Sequence, residues 1–124
     1  MPIVRHADSV QHRMHGSSFH AYANPGSGSA ELCAWRLEVA PGTRGVPHLV
    51  SREEVLLILS GELTATLDDV TATVTTGDVL VVPAGARFGV DNLSAGPVTA
   101  WVTTSVGLEA TMADGSTISP PWVR

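Results

Sequence analysis

The chain has 124 residues, which suits one domain around a single hydrophobic core and leaves no room for a second. Its apolar content of 44% is ordinary for a globular protein and only 15% of its residues are charged, which excludes disorder and coiled coil. The net charge is −5 and the seven basic residues are scattered arginines, so neither nucleic acid nor an anionic membrane is an expected partner.

Short apolar or alternating runs separated by turn residues predict strands along the whole chain. A polar loop at residues 24–29 separates two predicted strands, 18–23 and 30–39. In the second strand every other residue from Cys33 to Val39 is apolar, which predicts one buried face. Further strands are predicted at residues 54–60, 63–67, 70–75, 79–82, 87–90 and 97–104.

These elements predict an all-β fold. Asp68-Asp69 fits a two-residue hairpin turn, and no segment has a helical period. Eight or more strands in so short a chain predict a small antiparallel β-barrel or jelly roll. We expect a single domain over residues 1–124, with an N-terminal strand segment (1–24) and a C-terminal tail (113–124).

The expected location is the cytoplasm. Cys33 is the only cysteine, so no intramolecular disulfide can form. The longest aliphatic run, Val55 to Leu59, is too short to span a bilayer, and the N-terminus holds no apolar run of signal-peptide length. Four histidines lie within the first twenty residues, and we interpret the segment around His12 and His15 as solvated.

Two segments carry turn residues and acid or imidazole side chains at fixed spacing. In the first, residues 42–61, the pattern is Gly42, His48, Glu54 and Gly61, with Val50 two residues after the histidine. Glycines at such strand ends permit a positive φ where the chain turns sharply. Residues 48 and 50 share one face of a strand, because side chains alternate with a period of two.

The second segment, residues 77–92, has the pattern Gly77, Pro83, Gly85 and Asn92, with Phe88 three residues after the glycine. Together the two segments resemble the paired motifs of the cupin superfamily, and they span about half of the chain. The resemblance implies a small single-domain cupin, a double-stranded β-helix whose motif side chains point into the barrel.

The resemblance also implies a metal site, in which three histidines and a glutamate hold Fe, Mn, Ni, Cu or Zn. Only His48 and Glu54 match that set here, because Val50 and Phe88 stand at the other two positions. Two ligands are too few for tight binding, so we expect a degenerate metal site and no cofactor. The alternative is a divalent metal at His48 and Glu54 with a substitute donor from His20, Tyr22 or Cys33.

His48 and Glu54 are the candidate catalytic residues. A carboxylate within hydrogen-bond reach of an imidazole would orient it and favour its protonated form, and such a pair can shuttle protons. The alternative is that both are remnants without chemistry. Val50 and Phe88 either fill the volume of a lost metal or build an apolar ligand wall. Further candidate pocket residues are Trp35, Tyr22, Cys33, Trp101, Leu56 and His20.

These patterns predict a small-molecule-binding protein. The leading interpretation is a bacterial metabolic enzyme, of isomerase, cyclase or lyase type, that acts on a small organic substrate without the standard metal. One alternative is a non-catalytic ligand-binding or sensory cupin, and another is a metal-dependent dioxygenase or cyclase with substituted ligands. The resemblance also implies a homodimer, since small cupins pair through their sheets and edge strands.

Overall fold

A computed structural model describes residues 2–124. Twelve strands and three single 3-10 turns make up its regular structure. The strands are β1 Val10–Met14, β2 Ser17–Ala23, β3 Leu32–Val39, β4 His48–Val50, β5 Glu54–Ser60, β6 Glu62–Leu67, β7 Val70–Thr75, β8 Val79–Val82, β9 Arg87–Asp91, β10 Val98–Ser105, β11 Ala110–Thr111 and β12 Thr117–Ile118. The 3-10 turns are His6–Asp8, Pro25–Ser27 and Pro121–Val123.

The strands form two six-stranded antiparallel sheets. The first sheet has the order β1-β2-β3-β10-β5-β8, and the second has the order β12-β11-β4-β9-β6-β7. From β4 to β10 the chain passes repeatedly from one sheet to the other, which winds the strands into a double-stranded β-helix. The predicted all-β jelly roll is therefore confirmed.

The core lies between the sheets because the strands alternate apolar and polar faces. In β3, Cys33, Trp35, Leu37 and Val39 are buried, as their spacing predicted. β5 differs, because its outward residues are also apolar: Leu57 and Leu59 are exposed while Leu56 and Ile58 are buried. The first sheet therefore carries apolar side chains on both faces along β5.

The turns follow the residues that sequence analysis singled out. Leu67 pairs with Val70 across Asp68-Asp69, and Asp68 has a φ of +51°, as a tight two-residue hairpin turn requires. Gly61 has a φ of +89°, and a Cβ atom there would lie 2.7 Å from the Pro97 carbonyl oxygen. Both the backbone conformation and the close approach therefore require glycine.

Both chain ends pack against the first sheet. At the N-terminal end, β1 pairs with β2 over five residues and extends the first sheet, and most of its residues are exposed. At the other end the tail folds back, so that Trp122 is buried and its ring stacks on Phe19 with centroids 3.6 Å apart. Within residues 2–124, no helix is long and apolar enough to cross a membrane.

Candidate functional site

A cavity of about 130 Å³ lies between the two sheets. Its wall is mainly apolar and includes four aromatic side chains: Phe19 from β2, Trp35 from β3, Phe88 from β9 and Trp122 from the C-terminal turn. Few polar side chains reach it. They include His48 on the second sheet and Glu54 on the first.

Glu54 is the one buried acidic residue of the described chain. It begins β5, lies in register with Thr104 of β10 and is only 6% exposed. No hydrogen bond or ion pair within residues 2–124 reaches its carboxyl group, whereas Thr104 donates to the Glu53 carbonyl oxygen at 2.7 Å. Burial therefore raises the pKa of Glu54 to about 7, because the charged form is deprived of solvent without compensation.

His48 is half-buried on β4, directly across from Phe88 in β9. Its Nδ1 lies 3.0 Å from the Val46 carbonyl oxygen, which can only accept, so Nδ1 carries a proton. The neutral imidazole is thereby fixed in the tautomer whose Nε2 holds the lone pair. The Phe88 ring meets the imidazole edge-on, with centroids 6.2 Å apart.

The two candidate catalytic residues share the cavity but do not bond to each other. They lie on facing sheets, and His48 uses the Val46 carbonyl as its orienting partner rather than Glu54. The expectation that the carboxylate orients the imidazole is therefore wrong. Two such groups can instead contact different atoms of a molecule bound between them.

The donor set does not fit the metal that the cupin resemblance implies. Val50 is 1% exposed and Phe88 is 5% exposed, so apolar side chains occupy two of the four family positions. Among residues 2–124, no group of three or more His, Cys, Asp or Glu side chains converges on a point where a metal ion could sit. The expectation of no cofactor remains a prediction.

Three of the predicted pocket residues line the cavity, namely Trp35, Leu56 and Phe88. Val50 and Cys33 lie in the core but outside the lining, and Cys33 Sγ contacts the Val123 carbonyl oxygen at 3.6 Å. Neither has a side chain in the cavity wall, so both assignments to the pocket are corrected.

Tyr22, Trp101 and His20 were also expected in the pocket, but they lie on the outer face of the first sheet. His20 and Trp101 both pair with Arg36 in the same row, and alternation turns that row away from the core. The Tyr22 ring packs against Trp101 at 5.4 Å. Because these side chains point outward, they can neither line the cavity nor replace a lost metal ligand.

Sequence reasoning missed Phe19 and Trp122 as cavity residues. Their stacked rings come from β2 and from the C-terminal turn, about one hundred positions apart. The only available signal was the single tryptophan in a tail that is otherwise polar or rich in proline. Their contact depends on how the tail folds back, which no local pattern encodes.

Comparison with known proteins places this architecture in a family. The cupin domain model matches residues 35–104, more than half of the chain. A search of curated proteins returned no match.

Among solved structures, the polyketide cyclase RemF from Streptomyces resistomycificus is similar, with a TM-score of 0.75, 20% identity and coverage of 85% of this chain and 79% of that chain. A sugar phosphate isomerase from Silicibacter pomeroyi has a TM-score of 0.71 and 15% identity over 94% and 92% of the two chains. The 7S globulin of Momordica charantia reaches 0.78 and 20% identity, over 94% of this chain and 39% of its own. These identities show a shared fold alone. With the family model matched across both motifs, the chain belongs to the cupin family.

Proposed function

We propose that this cupin is an enzyme of small-molecule metabolism that transfers protons to and from a substrate bound between Glu54 and His48. The observation that carries the proposal is the Glu54 carboxyl group, which is buried in an apolar cavity wall and has no hydrogen-bond partner within the described residues. Leaving a buried polar group unpaired costs about 1–3 kcal/mol, and a substrate that supplies the partner would offset this cost.

The two groups divide the work of acid and base. Nε2 of His48 accepts a proton from one atom of the substrate, and the protonated Glu54 carboxyl donates a proton to another. A pKa near 7 keeps both forms of Glu54 populated at neutral pH, which suits a general acid or base. After turnover His48 holds a proton and Glu54 lacks one, and exchange with water through the half-exposed His48 restores the starting state.

Reactions that move a proton within one molecule fit this arrangement, namely isomerisation, cyclisation and elimination. Two structurally similar proteins are named as a polyketide cyclase and a sugar phosphate isomerase, which is compatible with chemistry of this type. The second candidate function is a non-catalytic binding protein. The aromatic lining favours it, since such walls hold a ligand without any chemistry.

Solvent-deuterium exchange into an enolisable ketone separates the two functions. We expect the wild type to accelerate deuterium uptake at the methyl group of acetophenone, followed by proton NMR. Glu54→Gln should lower this rate by about 100-fold or more, the usual contribution of a general acid or base. The matched control is Glu53→Gln, which changes the exposed neighbour in the same way and should leave the rate unchanged. Equal rates in the wild type and Glu54→Gln would leave only the binding function.

We also propose that the protein pairs with a second copy through the outer face of the first sheet. Leu57, Leu59, Val79 and Val81 are 38–55% exposed there, on neighbouring strands β5 and β8. An apolar patch of this kind on a sheet suits a two-fold interface, in which each copy covers the same surface of the other. Leu57→Arg should shift a dimer to monomer in sedimentation velocity, whereas Leu49→Arg, on the other sheet, should not.

A further inference from the structure

The cavity wall contains a second buried polar group without a partner. Trp35 lines the cavity and is 3% exposed, and its indole Nε1–H makes no hydrogen bond within the described residues. Buried N–H groups are nearly always paired in folded proteins, so an orphan needs an explanation. Trp35 lies on β3 and Glu54 on β5, with β10 between them, so both groups belong to the same sheet.

The charges of the wall restrict what can bind. Within residues 2–124 no arginine lines the cavity, Glu54 is its only acidic side chain, and its only basic side chains are the imidazoles of His15 and His48. The sequence contains no lysine. A phosphate or carboxylate would therefore enter an apolar space beside Glu54 with only two imidazoles, and no permanent cation, to balance its charge, which is unfavourable. The wall therefore favours a ligand that is uncharged in the part that occupies the cavity. Sugar phosphates, which the name of one similar protein suggests, do not meet this condition.

The shape and size of the wall restrict the ligand further. The stacked Phe19 and Trp122 rings form a flat surface, and Trp35 is tilted against Trp122 by 57°. Flat rings pack well against such surfaces. The cavity volume of about 130 Å³ is close to the roughly 150 Å³ of an engineered cavity that binds benzene, so it admits one ring.

We infer that the cavity binds an uncharged one-ring carbonyl compound, whose oxygen accepts from Trp35 Nε1–H and from the protonated Glu54 carboxyl, and whose acidic C–H faces His48. This inference names the substrate class of the proposed acid–base site and so rests on the proposed function. An aryl ketone satisfies both unpaired groups at once, because its carbonyl oxygen has two lone pairs and can accept from both donors, while His48 removes a proton from the adjacent carbon. A pure hydrocarbon leaves both groups unpaired.

Three probes of similar size test the inference: acetophenone, ethylbenzene and benzoate. Binding is followed in two-dimensional ¹H–¹⁵N spectra, where the indole N–H of Trp35 gives its own resonance, assigned by its loss in Trp35→Phe. We expect acetophenone to shift this resonance downfield and to bind more tightly than ethylbenzene, while benzoate binds weakest. Loss of one hydrogen bond should weaken acetophenone binding to Trp35→Phe by about fivefold and leave ethylbenzene binding unchanged.

Three results would overturn the inference: benzoate binding as tightly as acetophenone, no shift of the Trp35 resonance on acetophenone binding, or no binding of any probe. The resonance in the wild type is informative even if Trp35→Phe does not fold. Binding is measured here without turnover, so its outcome is separate from that of the deuterium exchange. Tight acetophenone binding without exchange would remove the proposed catalysis and keep the ligand class.

Discussion

Asn92 and Glu54 are both buried polar side chains at motif positions, and they are treated very differently by the fold. Asn92 is fully buried, and its amide donates to the carbonyl oxygens of Val39 at 3.0 Å and Gly96 at 2.9 Å. Its own carbonyl accepts from the Ser94 amide at 3.0 Å and from the Ser94 hydroxyl at 2.7 Å. Glu54 is almost as deeply buried and has no partner within residues 2–124.

The difference shows that the stability of the fold explains the burial of Asn92 but not the burial of Glu54. The hydrogen bonds of Asn92 fasten the end of β3 to the loop between β9 and β10, so its burial stabilises the barrel. The carboxyl group of Glu54 is desolvated without any such gain, which destabilises the folded state once it is ionised. Its position is therefore best explained by what enters the cavity.

The largest expected effect is a gain of metal affinity, in which a bound metal ion becomes the partner of Glu54. A double variant, Val50→His with Phe88→His, places two imidazoles beside His48, because residue 50 shares its face and residue 88 lies directly across from it. We expect titration calorimetry to give a micromolar dissociation constant for Zn²⁺ or Ni²⁺, which corresponds to about 8 kcal/mol of favourable binding free energy. The wild type should bind no stoichiometric metal.

The same double variant with Glu54→Gln is the matched control. It keeps the three imidazoles and removes the carboxylate, so its metal affinity should be clearly lower. One equivalent of metal on the wild type, held as tightly as on the double variant, would contradict the conclusion that two donors are too few.

The next largest effect is expected at Asn92. Asn92→Ala removes the donor of the buried Val39 carbonyl oxygen and the acceptor of the Ser94 amide, and should lower the free energy of unfolding by about 3 kcal/mol. Urea unfolding measures the change through the midpoint, with an unchanged slope showing that the same surface is exposed. A loss below about 0.5 kcal/mol, the range of ordinary surface substitutions, would mean that the burial of Asn92 does not stabilise the fold, as we conclude for Glu54.

Replacing Glu54 should raise the free energy of unfolding, whereas replacing Asn92 lowers it, and the gain at Glu54 should occur only at higher pH. Because its pKa is about 7 in the folded protein and 4.5 in its unperturbed state, the folded state binds this proton more tightly than the unfolded chain. The contribution of this carboxyl group to the free energy of unfolding is fully present below pH 4.5. It is lost as the pH rises to 7, by about 3 kcal/mol in total. Glu54→Gln lacks this loss.

Comparison of the wild type with Glu54→Gln at pH 5 and pH 8 isolates the pH-dependent contribution of Glu54 to stability. The unfolding free energy of Glu54→Gln, relative to the wild type, should rise by about 2 kcal/mol between these pH values. Other titrating groups contribute equally to both proteins and cancel. A difference that does not change with pH would mean that Glu54 has a partner in solution.

The smallest predicted effect lies at the edge of the Asn92 network. Ser94→Ala removes one hydroxyl that donates to Asn92 and lies near the Gly96 carbonyl oxygen, and should cost about 1 kcal/mol. Thermal unfolding resolves a change of this size. In the Asn92→Ala background the same substitution should cost less, because its acceptor is already gone, whereas fully additive costs would argue against a coupled network.

The sequence predicted the strands with strong alternation and sharp turns almost to the residue. β5, β7 and β8 have their expected bounds, since glycines and Asp68-Asp69 delimit them. β1, β11 and β12 were missed as strands of their own, because two- to five-residue strands become strands only by pairing with neighbours.

The candidate site was predicted only in part, because local spacing in the sequence indicates some of its features and contacts between distant segments determine the others. His48, Glu54 and Phe88 came from motif spacing, which fixes strand position and face. Whether a buried polar group finds a partner depends on contacts between distant segments, such as Asn92 with Val39, 53 positions apart. Tyr22 and Trp101 were misplaced because residue type alone does not say which face of a strand a ring occupies.

A titration of the Glu54 carboxyl group by ¹³C NMR tests the central claim most directly. The wild type is compared with Glu54→Gln so that the missing resonance identifies the residue. We expect a midpoint of about 7, because the group is buried without a partner. A midpoint at or below 4.5 would show that a hydrogen bond or cation stabilises the carboxylate, and would contradict both its unpaired state and its role as the acid of the site.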